Sequence, residues 1–196
     1  MDKIYVWIAL LFSEDFQNYI RENAKPIGIA NNLDFVAFTL PQHVSLKISF
    51  PCRESDFLSI SEELEKYFSS VDPFIIEFEE IELVKGNNNI IWINIKENNY
   101  LRKMHNDINA KLLDDYNIGL SGYDGEEFRF HSTLFTDDKS VSYESYEKAF
   151  NSLRDLPCDR RQIIDKACIG FSKSGKMGEY EVYKTFNYSS DELKRM

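Results

Sequence analysis

The chain is poor in cysteine, with only Cys52, Cys158 and Cys168 among its 196 residues. These residues form no CxxC pair, and their odd number excludes a complete set of disulfides. Reduced thiols are typical of the cytosol, so the sequence predicts a soluble protein with a cytoplasmic location.

Positive charge is also scarce. The chain has 23 Lys and Arg against 33 Asp and Glu, which gives a net charge of −10. Non-specific binding of nucleic acid depends on neutralising phosphates with a basic surface, so this balance argues against long nucleic acid as a partner. A small phosphate-bearing ligand needs only a few positive groups and stays compatible with the composition.

Long apolar runs are missing as well. The most apolar segment, Ile4–Phe12, has nine residues, follows no basic region and leads directly into a polar segment. It is too short to span a membrane and makes a poor signal peptide, so we predict a first β-strand and no membrane partner. No Pro-, Gly- or Ser-rich linker divides the chain, which favours one domain, and we expect a monomer.

Metal-binding motifs are likewise lacking. The sequence contains no HExxH, no CxxC and no carboxylate cluster at ligand spacing. A metal site is therefore not favoured, and no cofactor is predicted.

The order of predicted elements is similar in the two halves of the chain. Each half has a strand with a histidine, then an amphipathic helix, then a hairpin, with turns predicted at Gly86–Asn89 and around Gly175. We therefore predict an α+β fold: bilobal, with pseudo-twofold duplicated β-α-β-α-β lobes whose mixed or antiparallel sheets face a central cleft. The predicted lobes cover about 1–88 and 89–188, and 189–196 forms a C-terminal tail.

The two histidine strands share one motif. The first contains His43-Val44-Ser45-Leu46 and the second, 88 residues later, contains His131-Ser132-Thr133-Leu134. Both read His-x-[Ser/Thr]-Leu. A lone strand histidine is more often a satisfied core or edge residue, but two copies in equivalent places indicate a functional pair.

Strand geometry predicts how these motifs act. Residues i and i+2 project from the same face of a strand, so His43 lies with Ser45, and His131 with Thr133. If the halves face each other, two imidazoles and two hydroxyls surround one small space. Cleaving a phosphodiester in line needs a base and an acid, which imidazoles supply near neutral pH, and hydroxyls can bind the non-bridging phosphate oxygens.

The next positions on the same faces carry positive charge. Lys47 lies two residues beyond Ser45, and Arg129 two residues before His131. If the strands are regular, both side chains face the cleft and can bind phosphate, Arg129 in bidentate fashion. The alternative is that each is a solvated edge residue. The third histidine, His105, is expected at the flank of the apolar stripe of a helix.

Paired His-x-[Ser/Thr]-hydrophobic motifs in a duplicated α+β chain resemble the 2H phosphoesterase superfamily, which includes 2′-5′ RNA ligase-like proteins and cyclic phosphodiesterases. The resemblance covers roughly Ile4 to Tyr188. It implies that His43 and His131 are the catalytic pair, and that Ser45 and Thr133 bind phosphate. It also implies a metal-independent reaction on 2′,3′-cyclic phosphates or 2′-5′ linked phosphodiesters of nucleotides or RNA ends. By the same resemblance His43 is the acid and His131 the base.

The chain departs from the family pattern in two places. Ser45 stands where threonine is common, and Phe135 and Thr136 follow the second motif, where many 2′-5′ ligase-like members have an arginine or glycine. The acidic composition argues against a substrate as large as tRNA. The subfamily stays open, and so does the choice between hydrolysis and ligation.

Two further functions are compatible with the sequence. The chain can be a non-catalytic module that binds a nucleotide or an RNA end in the same cleft, or a structural α+β domain. Both complete motifs favour the enzyme over the binding module, and a structural domain leaves the double motif unexplained.

Overall fold

The structure, a computed structural model, describes residues 3–33, 39–86, 88–136, 141–156, 160–176 and 178–188. The predicted tail 189–196 and Cys158 lie outside these residues. In chain order the helices and strands are β1 Lys3–Leu11, α1 Glu14–Ala30, β2 His43–Arg53, α2 Glu54–Phe68, β3 Phe74–Val84, β4 Ile90–Ile95, α3 Asn99–Tyr116, β5 His131–Thr136, α4 Tyr143–Leu153, β6 Arg161–Ile164, β7 Lys166–Ser172 and β8 Glu181–Asn187.

The strands form two four-stranded sheets, with the orders β2-β1-β7-β8 and β5-β4-β3-β6. Every pairing between the described strands is antiparallel. The two orders are equivalent: a motif strand lies at one edge, beside the first strand of its own half. The predicted α+β class and the duplicated arrangement are confirmed.

The halves exchange strands between the two sheets. β3 ends the first half of the sequence but pairs with β4 in the second sheet, while β7 from the second half pairs with β1 in the first sheet. Consecutive strands joined by a tight turn pair as a hairpin, and this keeps β3 beside β4. The sheets therefore do not follow the predicted lobes 1–88 and 89–188, because each sheet takes strands from both halves.

Strand β1 is apolar throughout because it is internal to its sheet and covered on both faces. One face contributes to the main hydrophobic core, through Ile4, Val6, Ile8 and Leu10. The other contributes to a smaller cluster, through Trp7, Ala9 and Leu11, together with Cys168 of β7. This second face is the one that carries the site described below.

The helices pack on the faces turned away from that site, α3 and α2 against β2, and α4 against β3. Ser13 is the N-cap of α1, since its Oγ accepts the backbone N–H of Phe16 at 3.3 Å. Asn98 caps α3 in the same way at 2.9 Å. Within the residues that the structure places, no helix is both long and apolar enough to cross a membrane.

The apolar run Phe128–Phe135 around the second motif is a strand only in part, since β5 begins at His131. Phe128 and Phe130 are nevertheless buried, and their rings lie 5.1 Å apart. The segment before β5 is therefore fixed by packing, together with a backbone hydrogen bond from Ile95 of β4 to the Phe130 oxygen at 3.0 Å.

Candidate active site

The two motif strands alternate in burial as the sequence predicts. Val44 and Leu46 of β2 and Leu134 of β5 are fully buried in the core. The motif histidines and hydroxyl residues are instead only partly buried on the opposite faces. The residues that the resemblance implicates therefore share the face that is free of helices.

His43 is the first residue of β2, and two contacts fix its ring. Its Nδ1 lies 2.8 Å from the backbone oxygen of Pro41. A carbonyl oxygen only accepts hydrogen bonds, so Nδ1 carries the proton and donates it, and Nε2 is left with a lone pair. The ring also lies 4.7 Å from the indole of Trp7, tilted by 45°. Trp7 can lie there because residue 170 is glycine, where a Cβ would overlap the indole.

His131 begins β5 and is held in the same way. Its Nδ1 donates to the backbone oxygen of Arg129 at 2.8 Å, again the carbonyl two residues earlier. Its ring stacks on Trp92, with centroids 4.1 Å apart and planes 28° apart. Both histidines therefore have the same neutral tautomer, with Nε2 as the nitrogen that can exchange a proton with a ligand.

Burial lowers the pKa of both histidines. For His43 the hydrogen bond to Pro41 opposes this effect without cancelling it. The pKa of His131 is lowered to about 4, chiefly by burial and in smaller part by the positive charges of His43 and Arg129, while the hydrogen bond to Arg129 and the charge of Glu82 oppose the shift.

The hydroxyls of the two motifs line one cavity of about 210 Å³. Ser45 and Thr133 lie in its wall together with His43, whereas His131 is beside the cavity and not part of its lining. Over the described residues, neither Ser45 Oγ nor Thr133 Oγ1 has a hydrogen-bond partner in the protein, so both are free to bind a ligand. The remaining lining is mostly apolar or hydroxyl-bearing: Trp7, Leu40, Ser49, Ile90, Thr136, Gly178 and Tyr180.

Lys47 does not face this cavity, and the prediction that it binds phosphate is wrong. Its side chain is fully buried, where Nζ forms an ion pair with Asp124 Oδ2 at 2.5 Å and donates to the Gly119 oxygen at 3.2 Å. The cause is a β-bulge: Ile8 pairs with Lys47 but Ala9 pairs with Ser45, so Leu46 is an extra residue in β2. The bulge turns Lys47 to the core side.

His105 lies in the core and not at the flank of its helix, contrary to expectation. It is fully buried on α3, and its Nδ1–H donates to the oxygen of Leu46 at 2.8 Å. Its Nε2 accepts the N–H of Gly125 at 3.1 Å. His105 therefore holds the bulge residue of β2 and the loop that leads to β5, and it is a structural histidine.

Arg129 lies near the site, but its charge is already paired. Its Nη2 lies 2.5 Å from Glu82 Oε2 and 3.1 Å from Asn94 Oδ1. The guanidinium carbon is 5.2 Å from the centre of the Trp92 ring. Its predicted role in binding phosphate stays a prediction, and any phosphate would have to compete with Glu82.

The structure adds the two tryptophans to the site, which sequence patterns alone did not single out. The chain has only two, and each contacts one motif histidine. Trp7 precedes His43 by 36 residues and Trp92 precedes His131 by 39, by subtraction of their numbers. This second matched spacing is the signal that could have found them. No sequence pattern points to Glu82, because it contacts Arg129 only in the folded chain.

Metal-ligating side chains do not cluster in the part of the chain that the structure covers, where no group of three or more His, Cys, Asp or Glu could hold a metal ion.

Comparison with known proteins gives a consistent result. The sequence model of the 2′-5′ RNA ligase superfamily matches residues 22–164. A curated protein of Halalkalibacterium halodurans, named "Putative phosphoesterase BH1439", is 21% identical over 153 residues, which cover 78% of this chain and 82% of that protein.

Solved structures share the fold at low sequence identity. The chain is similar to Escherichia coli LigT in complex with NADP⁺, with a TM-score of 0.65 and 12% identity over 97% of this chain and 100% of LigT. It is similar to TT0787 of Thermus thermophilus, with a TM-score of 0.61 and 14% identity over 93% and 97% of the two chains. Usb1 of Kluyveromyces marxianus gives a TM-score of 0.57 and 12% identity over 95% and 98%.

Proposed function

Because the chain belongs to the 2′-5′ RNA ligase superfamily, as the resemblance of its motifs implied, we propose that it is a phosphoesterase that uses His43 and His131 as general acid and base. The proposed substrate is a 2′,3′-cyclic phosphate or a 2′-5′ linked phosphodiester, carried by a nucleotide or an RNA end. The proposed reaction needs no metal, and its proposed location is the cytoplasm.

The observation that carries this proposal is the matched state of the two imidazoles. Each donates Nδ1–H to the carbonyl two residues earlier, at 2.8 Å, and keeps Nε2 for the ligand. Each is followed at i+2 by a hydroxyl in the wall of one cavity. An in-line displacement at phosphorus needs such a pair, with one group on the side of attack and one on the side of departure.

The proposed steps follow from these groups. The Nε2 of the base takes a proton from water while the water oxygen bonds to phosphorus. The acid enters the step as an imidazolium, protonated at Nε2 as well as at Nδ1. The bond from phosphorus to one ribose oxygen breaks, and that oxygen receives the Nε2 proton of the acid, which is left neutral. Ser45 and Thr133 donate hydrogen bonds to the non-bridging oxygens. Following the resemblance, His131 is the base, His43 is the acid and the product carries a 2′-phosphate.

Structural neighbours support a phosphate-bearing ligand. Escherichia coli LigT has been crystallised with phosphate and with 3′-AMP. At 12% identity this likeness shows a shared fold. We take from it the class of ligand for the proposal and not the identity of the substrate.

The test is turnover of 2′,3′-cyclic nucleotides, of RNA ending in a 2′,3′-cyclic phosphate and of 2′-5′ linked dinucleotides, each with and without EDTA. Phosphorus NMR identifies the product. We expect activity that EDTA does not change, and losses in kcat of about 10²- to 10⁴-fold for His43→Gln and for His131→Gln. Unchanged thermal unfolding of both variants is the control for folding.

Three outcomes contradict the proposal in different ways. Absence of turnover on all three substrates, with calorimetry still showing that they bind, would identify a binding module instead of an enzyme. Loss of activity in EDTA would refute the metal-independent mechanism. A variant of either histidine with full activity would remove that residue from the mechanism.

A further inference from the structure

We propose that Glu82 is a positioning residue that holds the surroundings of His131 in place and makes the two halves of the site chemically unequal. This inference rests on the proposed function, because it assigns Glu82 a role in the proton transfer made by His131. Glu82 belongs to β3, outside both motifs.

One carboxylate oxygen of Glu82 accepts hydrogen bonds from three side chains. Oε2 accepts from Arg129 Nη2 at 2.5 Å, from Asn94 Nδ2 at 3.0 Å and from Trp92 Nε1 at 3.4 Å. These donors come from β4 and from the segment before β5, so a single atom of β3 ties three side chains together.

Each of the three donors also contacts or flanks His131. Trp92 stacks on the imidazole, and the backbone oxygen of Arg129 accepts its Nδ1–H. Asn94 is the residue that pairs with His131 across β4 and β5. Glu82 touches none of the reacting atoms, so its influence on catalysis has to pass through these three neighbours.

The charge of Glu82 is as important as its geometry. The charged or titratable groups that influence His131 are His43 of β2, Arg129 and Glu82, while β4 contributes the uncharged Trp92 and Asn94. When His131 takes a proton, its imidazolium lies on the face of Trp92, which favours a cation. Arg129 repels this new charge, and Glu82 offsets the repulsion by pairing with the guanidinium.

The His43 half of the site has no equivalent arrangement. Trp7 contacts His43 as Trp92 contacts His131, but Trp7 Nε1 is buried and has no hydrogen-bond partner in the described structure. No carboxylate contributes to the pKa of His43 among the described groups. Among the residues that the structure describes, a carboxylate thus accompanies only one of the two histidines, which suits different tasks for them.

The experiment compares Glu82→Gln with Glu80→Gln, a matched change at an exposed position of the same strand. The first measurement is the pKa of each histidine by NMR, which is practical because the chain has only three histidines. For Glu82→Gln we expect the pKa of His131 to fall, because the carboxylate is lost and Arg129 is unbalanced, while the pKa of His105 stays unchanged. Glu80→Gln should shift neither. An unchanged His131 pKa in Glu82→Gln would overturn the proposal, whether or not the protein turns over a substrate.

The second measurement is kinetic and separates positioning from stability. We expect Glu82→Gln to lower kcat by roughly tenfold, with the limb of the pH profile that belongs to His131 moved to lower pH and KM changed much less. A loss of kcat with an unmoved pH profile and a lower melting temperature would reduce Glu82 to a structural residue and overturn the proposal. Failure of the unaltered protein to turn over any substrate would reject the proposed function, and the NMR result would then decide the role of Glu82 alone.

A double-mutant cycle tests the route through Trp92. Trp92→Phe keeps an aromatic ring beside His131 but removes the Nε1 donor to Glu82. If Glu82 acts partly through this bond, the effects of Glu82→Gln and Trp92→Phe on the His131 pKa will be less than additive. Fully additive effects would exclude the Trp92 route and contradict that part of the proposal.

Discussion

Ser132 donates a hydrogen bond of 3.0 Å from Oγ to Oε1 of Gln42, and both side chains are buried. Gln42 directly precedes His43, and Ser132 directly follows His131. The bond therefore links the start of β2 to the start of β5, directly beside the two motif histidines. Ser132, the x residue of the second His-x-[Ser/Thr]-Leu motif, thus has a role of its own: it fixes the position of one motif strand relative to the other.

Removal of this bond should destabilise the protein. Ser132→Ala leaves a buried amide oxygen of Gln42 without its donor, which should lower the free energy of unfolding by about 1–3 kcal/mol. Urea unfolding followed by circular dichroism measures the change. Ser152→Ala on the exposed face of α4 is the control, with an expected effect within about 0.5 kcal/mol. Equal effects of the two substitutions would show that the bond between β2 and β5 contributes nothing.

Lys47 is expected to matter for stability and not for phosphate binding. Lys47→Met leaves Asp124 as an uncompensated buried charge, and breaking a buried pair in this way costs about 3–5 kcal/mol. Lys66→Met, which removes an exposed pair with Glu63, should change the free energy of unfolding far less, because solvent screens that pair. If the Lys47→Met protein had normal stability but a raised KM, Lys47 would bind phosphate after all.

Thr133 is predicted to bind the phosphate through its hydroxyl. Thr133→Val keeps the shape of the side chain and removes only the donor, so kcat/KM should fall by about ten- to hundredfold while the melting temperature changes little. Thr185→Val on the exposed strand β8 is the matched control and should leave kcat/KM unchanged. Equal kcat/KM for Thr133→Val and the unaltered protein would remove this hydroxyl from the mechanism.

Stability should fall as the pH drops below the ordinary histidine range. Burial lowers the pKa of His43, His105 and His131 in the folded protein, that of His131 to about 4. Above pH 6.5 these residues are neutral in both states and contribute no pH dependence. Between pH 6.5 and about 4 the unfolded chain binds protons that the folded chain does not, so acidification favours unfolding.

Urea unfolding between pH 7 and pH 4.5 tests this expectation. His131→Gln should flatten the dependence of the free energy of unfolding on pH over this range, because one of the groups responsible is gone. An unchanged slope in His131→Gln would show that the imidazole titrates alike in the folded and unfolded states.

The sequence predicts the motif strands well because strand alternation is a local property. The burial of Val44 and Leu134, and the shared faces of each histidine and its hydroxyl, follow from a period of two residues. Lys47 is predicted wrongly because the bulge at Leu46 is a feature of the pairing between β1 and β2. No pattern within β2 alone reveals it.

Long-range contacts account for the rest of what the sequence does not reveal. Glu82 meets Arg129 across 47 residues, and Gln42 meets Ser132 across 90. The sheets differ from the predicted lobes for the same reason, since the hairpin between β3 and β4 crosses the boundary at residue 88. Matched spacing in the two halves reveals the duplication, but it does not show which half completes which sheet.

The exchange of strands between the two sheets makes the two halves mutually dependent during folding. A polypeptide cut in the turn between β3 and β4 would leave each fragment without the strand that completes its own sheet. Neither fragment should therefore fold alone, whereas the mixed fragments should complement each other and restore both sheets. A half-length chain with this topology would need a second copy to complete its sheet, and the cleft, with one histidine from each copy, would then lie at a subunit interface.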